Sequence, residues 1–426
     1  MKKSFSFLTL MVATATLFTF SGCLKDQCES TLTYQVFKPV YIKMDEVRNQ
    51  LLTEAPRELK KPGNIYVYQN YLFISEYREG VHIIDNTDPS NPVNLSFVKI
   101  PGCENIAVRG NTLYANNYVD LVSLDISNPQ SVQLICRTND VFDPIALYED
   151  LGYLVYYEPT TETVQRPCDS PVYFYEFDQW GRRDMLFASV DVAADISNGS
   201  SNAPEGVGGS MARFTMAANR LYSVGTYDLK VFGLDDSGCA ALRNTVNLGW
   251  GIETIFPYED KLFIGSNSGM FIYDNSNPDQ PTQLSVFQHA RACDPVYVYG
   301  DIAYVTLHDG TECTGFANQL DVVNVANLTN PILLKTYPMH HPHGLSLTDD
   351  KLFLCEGDGG LKIFDASEWN KIDQRLLSNQ TGFFAYDVIT LGNKKLAIVV
   401  GKDGLRQYDY SDATQPRELS LIPVQQ

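Results

Sequence analysis

Basic residues and histidines are scarce in this chain of 426 residues. The sequence has 32 Lys and Arg against 51 Asp and Glu, a formal net charge of −19, and only 6 His. A surface of this sign repels nucleic acids and anionic lipid faces, so a nucleic-acid partner is excluded. The sequence also has no glycine-rich phosphate loop, nucleophile elbow or kinase signature. The negative charge is compatible with cationic ligands, divalent ions and neutral glycans.

Long apolar runs are missing too, apart from one at the N-terminus. Two lysines precede an apolar run from Phe5 to Phe20, which is followed by Ser21-Gly22-Cys23. This order predicts a secretory signal peptide over residues 1–22. The last three residues resemble the lipobox of bacterial lipoproteins, although Phe20 stands where that motif usually has Leu. The resemblance implies acylation of Cys23, a lipidated tether over 23–33 and attachment to the outer membrane, facing the periplasm or the cell surface. A plain signal peptide with a coincidental Cys is the alternative.

Internal repetition is the strongest feature of the sequence. Eight two-residue turns recur, at 69–70, 110–111, 149–150, 218–219, 259–260, 300–301, 349–350 and 392–393. Each separates short runs that are rich in β-branched and aromatic residues, and four such runs fill roughly 40 residues, the length of a propeller blade. We therefore expect an all-β protein, a β-propeller of about eight four-stranded blades, with seven possible, over residues 63–426.

The third run of seven repeats carries a motif. Gly80-Val81-His82-Ile83-Ile84-Asp85 recurs in altered form at 120–125, 269–274, 360–365 and 404–409, and without the final Asp at 228–233 and 319–324. The pattern is similar to the LVIVD-repeat family of bacterial cell-surface propellers, over about residues 63–423. That resemblance implies the fold and says little about function. We expect the final Asp to bond backbone N–H groups of the following turn.

The ring must be closed by one of two segments. The C-terminal run Arg417–Ile422 and the N-terminal run 34–43 are both strand-like. We expect the C-terminal strand to complete the last blade and residues 34–62 to pack at the seam, where they would cover exposed strand edges.

Aligning the repeats on their first turns places polar side chains at the start of the predicted innermost strands. They are Glu104, Asp143, Glu253, Asp294, His343 and Tyr386. In a propeller these positions surround one mouth of the central channel. Like charges gathered there favour a bound cation, and Ca²⁺ suits carboxylate oxygens. The alternative is that these acids serve solubility or bond turn amides.

Five of the six histidines fall in two adjacent repeats, on the same expected face. They are His289, His308, His340, His341 and His343, and Asp294 lies near them in the sequence. Imidazole and carboxylate together can ligate Zn²⁺ or another transition ion. The spacing is not that of a zinc signature, and a polar loop with incidental histidines is the alternative.

The cysteines point to disulfides in an exported chain. Cys293 with Cys313, and Cys136 with Cys168, stand in positions that permit pairing. Cys355 lies within an apolar strand and is predicted to be a buried thiol. These features favour a monomeric, non-enzymatic binding or scaffold module with a protein or glycan partner. A metal-dependent hydrolase or lyase at the channel is the alternative.

Overall fold

The computed structural model describes residues 29–167, 209–289, 295–308 and 318–425. Two compact units divide them: residues 29–40 with 156–167, and residues 41–155 with those from 209 onward. The predicted signal peptide and the predicted acylation site Cys23 lie outside the described residues. Within those ranges no helix has the length and apolar character that crossing a membrane requires.

The described chain is all-β, as predicted. Its one α-helix, α1, spans Met44–Arg48, and two 3-10 turns span Ile372–Gln374 and Gly392–Lys394. In chain order the strands are β1 (Glu29–Ile42), β2 (Leu52–Glu54), β3 (Pro62–Tyr68), β4 (Tyr71–Glu76), β5 (Gly80–Asp85), β6 (Val93–Lys99), β7 (Ile106–Arg109), β8 (Thr112–Asn117), β9 (Asp120–Asp125), β10 (Gln133–Thr138), β11 (Ala146–Tyr148), β12 (Gly152–Pro167), β13 (Phe214–Ala217), β14 (Arg220–Val224), β15 (Asp228–Leu234), β16 (Ala240–Asn247), β17 (Ile252–Tyr258), β18 (Lys261–Ser266), β19 (Gly269–Asp274), β20 (Thr282–Gln288), β21 (Val296–Tyr299), β22 (Ile302–Leu307), β23 (Gln319–Asn324), β24 (Ile332–Pro338), β25 (Leu345–Thr348), β26 (Lys351–Cys355), β27 (Leu361–Asp365), β28 (Leu376–Gln380), β29 (Ala385–Leu391), β30 (Leu396–Gly401), β31 (Gly404–Asp409) and β32 (Arg417–Pro423).

Seven of the eight described sheets are blades of a propeller. The first blade holds β2 to β6, with β2 added outside β6, and the second holds β7 to β10. Blades three to seven hold β13–β16, β17–β20, β21–β24, β25–β28 and β29–β32. The innermost strands pack side by side in the order β3, β7, β13, β17, β21, β25, β29. The propeller fold is therefore confirmed, with the smaller of the two expected blade numbers.

The described strands of the third sequence repeat form no blade of the ring. Its strands β11 and β12 form a three-stranded sheet with β1, and β7 packs directly beside β13. A disulfide between Cys136 and Cys239, with Cα atoms 5.8 Å apart, joins the second blade to the third. The predicted pairing of Cys136 with Cys168 is wrong, because leaving the third repeat out of the ring brings Cys239 beside Cys136. Cys168, Cys293 and Cys313 lie outside the described residues.

The turn chemistry of the repeats is confirmed. The hairpin turns take positive φ at residues such as Gln69 (55°), Gly110 (58°) and Asp349 (51°). The repeating Asp accepts a backbone N–H two residues on, at 2.9 Å in both Asp85 and Asp409. Hydrogen bonds from the next turn hold the pKa of both carboxyls below its usual value. Each Asp therefore orders the link between two outer strands.

The ring closes between the seventh and first blades. The buried amides of Asn86 and Gln407 exchange two hydrogen bonds, of 2.8 and 2.7 Å. Leu59 forms a parallel bridge with Val424, and β32 is the outer strand of the seventh blade. The prediction that the C-terminal strand completes the last blade is confirmed. A hydrophobic cluster that runs through Leu59 and the fourth to seventh blades continues the core across this seam.

The N-terminal segment departs from its predicted place. Leu59 does reach the seam, but Ile42, Met44 and Val47 pack against Val119 of the second blade. The cause is electrostatic: Arg48 at the end of α1 donates two hydrogen bonds, of 2.7 and 2.9 Å, to the buried carboxylate of Asp120. Of the predicted segment 34–62, Leu59 thus lies at the seam, whereas Ile42, Met44 and Val47 lie against the second blade. Residues 29–33 of the predicted tether belong to β1.

Candidate functional site

We call the end of the ring at which innermost strands begin and second strands end the upper mouth. His308 directly follows β22, a second strand, and His343 lies just before β25, an innermost strand. The Thr306 hydroxyl donates to the His343 carbonyl at 2.7 Å, and the His343 N–H donates to the Cys355 carbonyl at 2.8 Å. The backbone of His343 is therefore fixed on both sides by the fifth and sixth blades.

Three of the five predicted histidines meet at this mouth. The ring centroids lie 4.5 Å apart for His308 and His343, 4.7 Å for His341 and His343, and 5.5 Å for His308 and His341. We call these three residues the histidine cluster. These three residues come from a connector and from a strand end of neighbouring blades. They therefore lie on one face of the ring, as the sequence led us to expect.

Two aromatic rings of the seventh blade complete one wall of the cluster. Phe384 and Tyr386 lie 5.6 and 6.1 Å from His343, and 4.7 Å from each other, centroid to centroid. Tyr386 was a predicted member of the mouth, whereas Phe384 was missed. The position of Phe384 in the connector just before an innermost strand could have indicated its place at the mouth.

The backbone of Gly357 packs closely against the cluster. A Cβ atom there would lie 3.0 Å from His341 Nδ1, 3.1 Å from Phe384 Cζ and 3.3 Å from His343 Nε2. Its φ of +54° also favours glycine. A larger residue at this position would therefore press on both imidazole rings.

Burial strongly perturbs His343. It is only 3% exposed, and its Nε2 atom is buried with no hydrogen-bond partner. Burial, with His308 and His341 beside it, lowers the pKa of His343 to about 2. The ring is therefore neutral at physiological pH. An unsatisfied buried polar atom costs about 1–3 kcal/mol, so this nitrogen calls for a physical explanation.

The other two histidines lie apart from the cluster. His340 is exposed and pairs with Asp358 at 3.0 Å, while His289 lies 6.5 Å from Phe287 by ring centroids and close enough to Asp321 to affect its pKa. Asp294 lies outside the described residues. In the part of the chain that is described, no three His, Cys, Asp or Glu side chains stand in the arrangement of a metal site.

The predicted ring of carboxylates is dispersed into separate contacts. Glu104 pairs with Arg78 at 2.8 Å, and the mostly exposed Asp143 pairs with Lys230 at 2.9 Å. Asp143 begins no innermost strand of the ring, because the third repeat is not a blade. Glu253 lies half-buried in β17. Two acids of the predicted ring thus have basic partners of their own.

A serine from the far side of the ring reaches the sixth and seventh blades. The buried Ser210, ahead of the third blade, donates to Asp387 at 3.2 Å and accepts the Leu345 N–H at 3.0 Å. A Cβ atom at Gly344 would fall 1.8 Å from the Asp387 carboxylate, so only glycine fits there. The segment that leads to the third blade therefore crosses the channel. Sequence reasoning gave no sign of this contact.

An exposed aromatic pair lies on the same mouth, at the third and fourth blades. Tyr227 is in the turn between β14 and β15, and Trp250 is in the connector that leads to β17. Their ring centroids are 4.9 Å apart. This pair was also missed, although Gly249-Trp250-Gly251 in a mouth-side connector is a visible signal.

Comparisons with known proteins agree with this architecture. The LVIVD repeat matches residues 61–99, 103–140 and 290–338. A putative 6-phosphogluconolactonase from Bacteroides uniformis has a TM-score of 0.53 at 11% identity, over 84% of this chain and 95% of that one. The periplasmic gluconolactonase PpgL from Pseudomonas aeruginosa has a TM-score of 0.50 at 12% identity, over 85% and 97%. BamB from Moraxella catarrhalis has a TM-score of 0.46 at 10% identity, over 88% and 99%.

At these identities the likeness to the putative 6-phosphogluconolactonase and to PpgL shows the fold alone. No curated protein sequence matches the chain. The blades, their turn chemistry and the matched segments agree on one conclusion: the chain is a β-propeller protein that contains LVIVD repeats.

Proposed function

We propose that the chain is an envelope-anchored, non-enzymatic binding module whose partner docks on the upper mouth. The observation that carries the proposal is the aromatic pair of Tyr227 and Trp250, which are 43% and 55% exposed. Large aromatic side chains displayed together on a surface are typical of contact sites, because they offer much apolar area with few rotatable bonds.

The pair is held by the backbone on which it stands. The Leu248 N–H donates to the Tyr227 carbonyl at 2.8 Å, and the Gly251 N–H donates to the Thr226 carbonyl at 3.1 Å. Gly249 and Gly251 both have positive φ, and a Cβ atom at Gly251 would fall 2.4 Å from the Asn267 amide. Trp250 is therefore presented by a turn that other residues would strain.

A neutral glycan is the partner class that this surface fits best. Two rings form a patch far smaller than the roughly 800 Å² that each partner buries in a stable protein complex. The C–H face of one sugar ring matches such a patch, and the nearby amides of Asn247 and Asn267 are suited to its hydroxyl groups. The net charge of −19 disfavours anionic polymers instead.

Affinity electrophoresis of the folded protein tests this proposal, with laminarin, dextran, xylan and mannan in the gel as probes. At least one glycan is expected to retard the wild type and to lose that effect with Trp250→Ala. Tyr299→Ala is the matched control, since Tyr299 is 47% exposed but ends an innermost strand, at the opposite face. Equal retardation of Trp250→Ala, or no retardation by any of the four glycans, overturns the glycan proposal.

The anchor is a separate part of the proposal. Its support is the N-terminal sequence that ends in Ser21-Gly22-Cys23, which lies outside the described residues. Cys23→Ser is expected to move the protein from the membrane to the soluble fraction, because the acyl chains would be missing. Protease treatment of intact cells then separates the cell surface from the periplasm. Membrane retention of the Cys23→Ser protein would contradict lipid anchoring.

A further inference from the structure

The rings of the histidine cluster stand at the spacing that one shared ion requires. The centroids of His308, His341 and His343 are 4.5, 4.7 and 5.5 Å apart. Imidazole rings that each bind one tetrahedral ion through a nitrogen, at about 2.0–2.1 Å, have their centroids about 5 Å apart.

One nitrogen of the cluster is already in place without a hydrogen bond. His343 Nε2 is buried without a hydrogen-bond partner, and the two backbone contacts of His343 fix the position of its Cα atom. A buried nitrogen of this kind is costly unless something binds it. In the tautomer with the proton on Nδ1, a Lewis acid bound among the three rings would accept the Nε2 lone pair and remove that cost.

We propose that the histidine cluster binds one borderline divalent transition ion, of the class of Zn²⁺ and Cu²⁺, through His343 Nε2 and one ring nitrogen each of His308 and His341. The rings of His308 and His341 turn toward the ion on binding, because the described side chains hold no three-ligand set as they stand.

The ligand type decides which ions are accepted. Imidazole nitrogen suits zinc, copper and nickel, whereas Ca²⁺ and Mg²⁺ prefer oxygen. The fully buried Glu356 next to Gly357 is paired with Lys362 at 2.5 Å, so its charge is already balanced. The cluster is therefore expected to reject Ca²⁺, in contrast to the ring of carboxylates that the sequence suggested.

Metal titration of the whole exported protein tests the proposal. The protein is purified without a polyhistidine tag, stripped with a chelator and titrated with ZnCl₂, CuCl₂ and CaCl₂ by calorimetry. One Zn²⁺ or Cu²⁺ per chain is expected to bind, with no calcium at this site. Cu²⁺ electron paramagnetic resonance is expected to show coupling to at least two imidazole nitrogens.

Substitutions assign the site to these residues. His343→Asn and His341→Ala are each expected to weaken binding by about 100-fold, at the upper end of the loss seen when a group that only orients a ligand is removed. His340→Ala is the matched control, because His340 adjoins His341 in the sequence but pairs with Asp358 at the surface. Circular dichroism and thermal melting of each metal-free variant check folding.

Three outcomes overturn the proposal: no stoichiometric Zn²⁺ or Cu²⁺, unchanged affinity in both His341 and His343 variants that fold, or equal loss with His340→Ala. The site lies at the fifth to seventh blades and the aromatic pair at the third and fourth, so the metal proposal and the glycan proposal fail or succeed separately.

Discussion

The disulfide between Cys136 and Cys239 tests the arrangement of the ring. It closes a loop of 103 residues that contains the whole third repeat. Cross-linking a loop of about 100 residues removes chain entropy from the unfolded state worth about 4.7 kcal/mol. Replacing both cysteines by serine is therefore expected to lower the free energy of unfolding by about 4–5 kcal/mol in urea.

Adding a reductant to the wild type and to this double variant distinguishes the effect of this disulfide on stability from that of the other cysteines. The reductant should bring the wild type close to the variant and change the variant much less. Non-reducing tryptic mapping should give peptide 110–137 linked to peptide 231–243, since no Lys or Arg interrupts either between its ends. A link from Cys136 to Cys168 instead would refute the reasoning, because it would place the third repeat in the ring as an eighth blade.

Three further predictions concern contacts inside the ring, all measured by unfolding. Asp120→Asn should lower the free energy of unfolding by about 3 kcal/mol, because it leaves two arginines facing a neutral amide. Asp140→Asn, at the exposed edge of this network, should lower it by less than about 1 kcal/mol. Equal losses in the two variants would contradict the role of the buried carboxylate. Gln407→Leu should lower the free energy of unfolding by about 1–3 kcal/mol, because the buried Asn86 amide at the seam would lose its hydrogen-bond partner. An unchanged melting temperature would show that this pair does not close the ring. Asp321→Asn should stabilise the protein at pH 7, because burial raises the pKa of Asp321 above 3.8 and its ionisation therefore costs stability as pH rises through that range. The extra stability of that variant over the wild type should shrink as pH falls, because the carboxyl of the wild type is then protonated in the folded state. The same extra stability at every pH would contradict this explanation.

Several parts of the architecture were predictable because they depend on neighbours in the chain. The hairpin turns need residues that accept positive φ, so Gly110 and Asp349 mark them directly. The repeating Asp needs only the N–H two residues ahead of it. The C-terminal strand pairs with the strand just before it, and Cys355 is a buried thiol, as its apolar strand indicates.

The candidate site was predictable only in part. His343 and Tyr386 were placed at the mouth by the phase of the repeats, and the rings of His308 and His341 joined them. Glu104 and Asp143 stand at repeat positions that suggested one shared site, but Arg78 and Lys230 occupy them separately. A basic residue elsewhere in the chain can take a carboxylate out of a cluster, and spacing along one repeat does not reveal that.

The sequence by itself therefore determined the blade: four short strands, their turns, and the end of the chain at which the last blade is completed. Only the tertiary structure decided how many blades enter the ring. The third repeat has the first hairpin turn of its neighbours, at 149–150, yet β7 packs against β13, and Cys136 pairs across the gap with Cys239. Local signals follow from backbone preferences that act over a few residues. Membership of the ring depends on contacts between strands about a hundred residues apart, which arise only when the core packs.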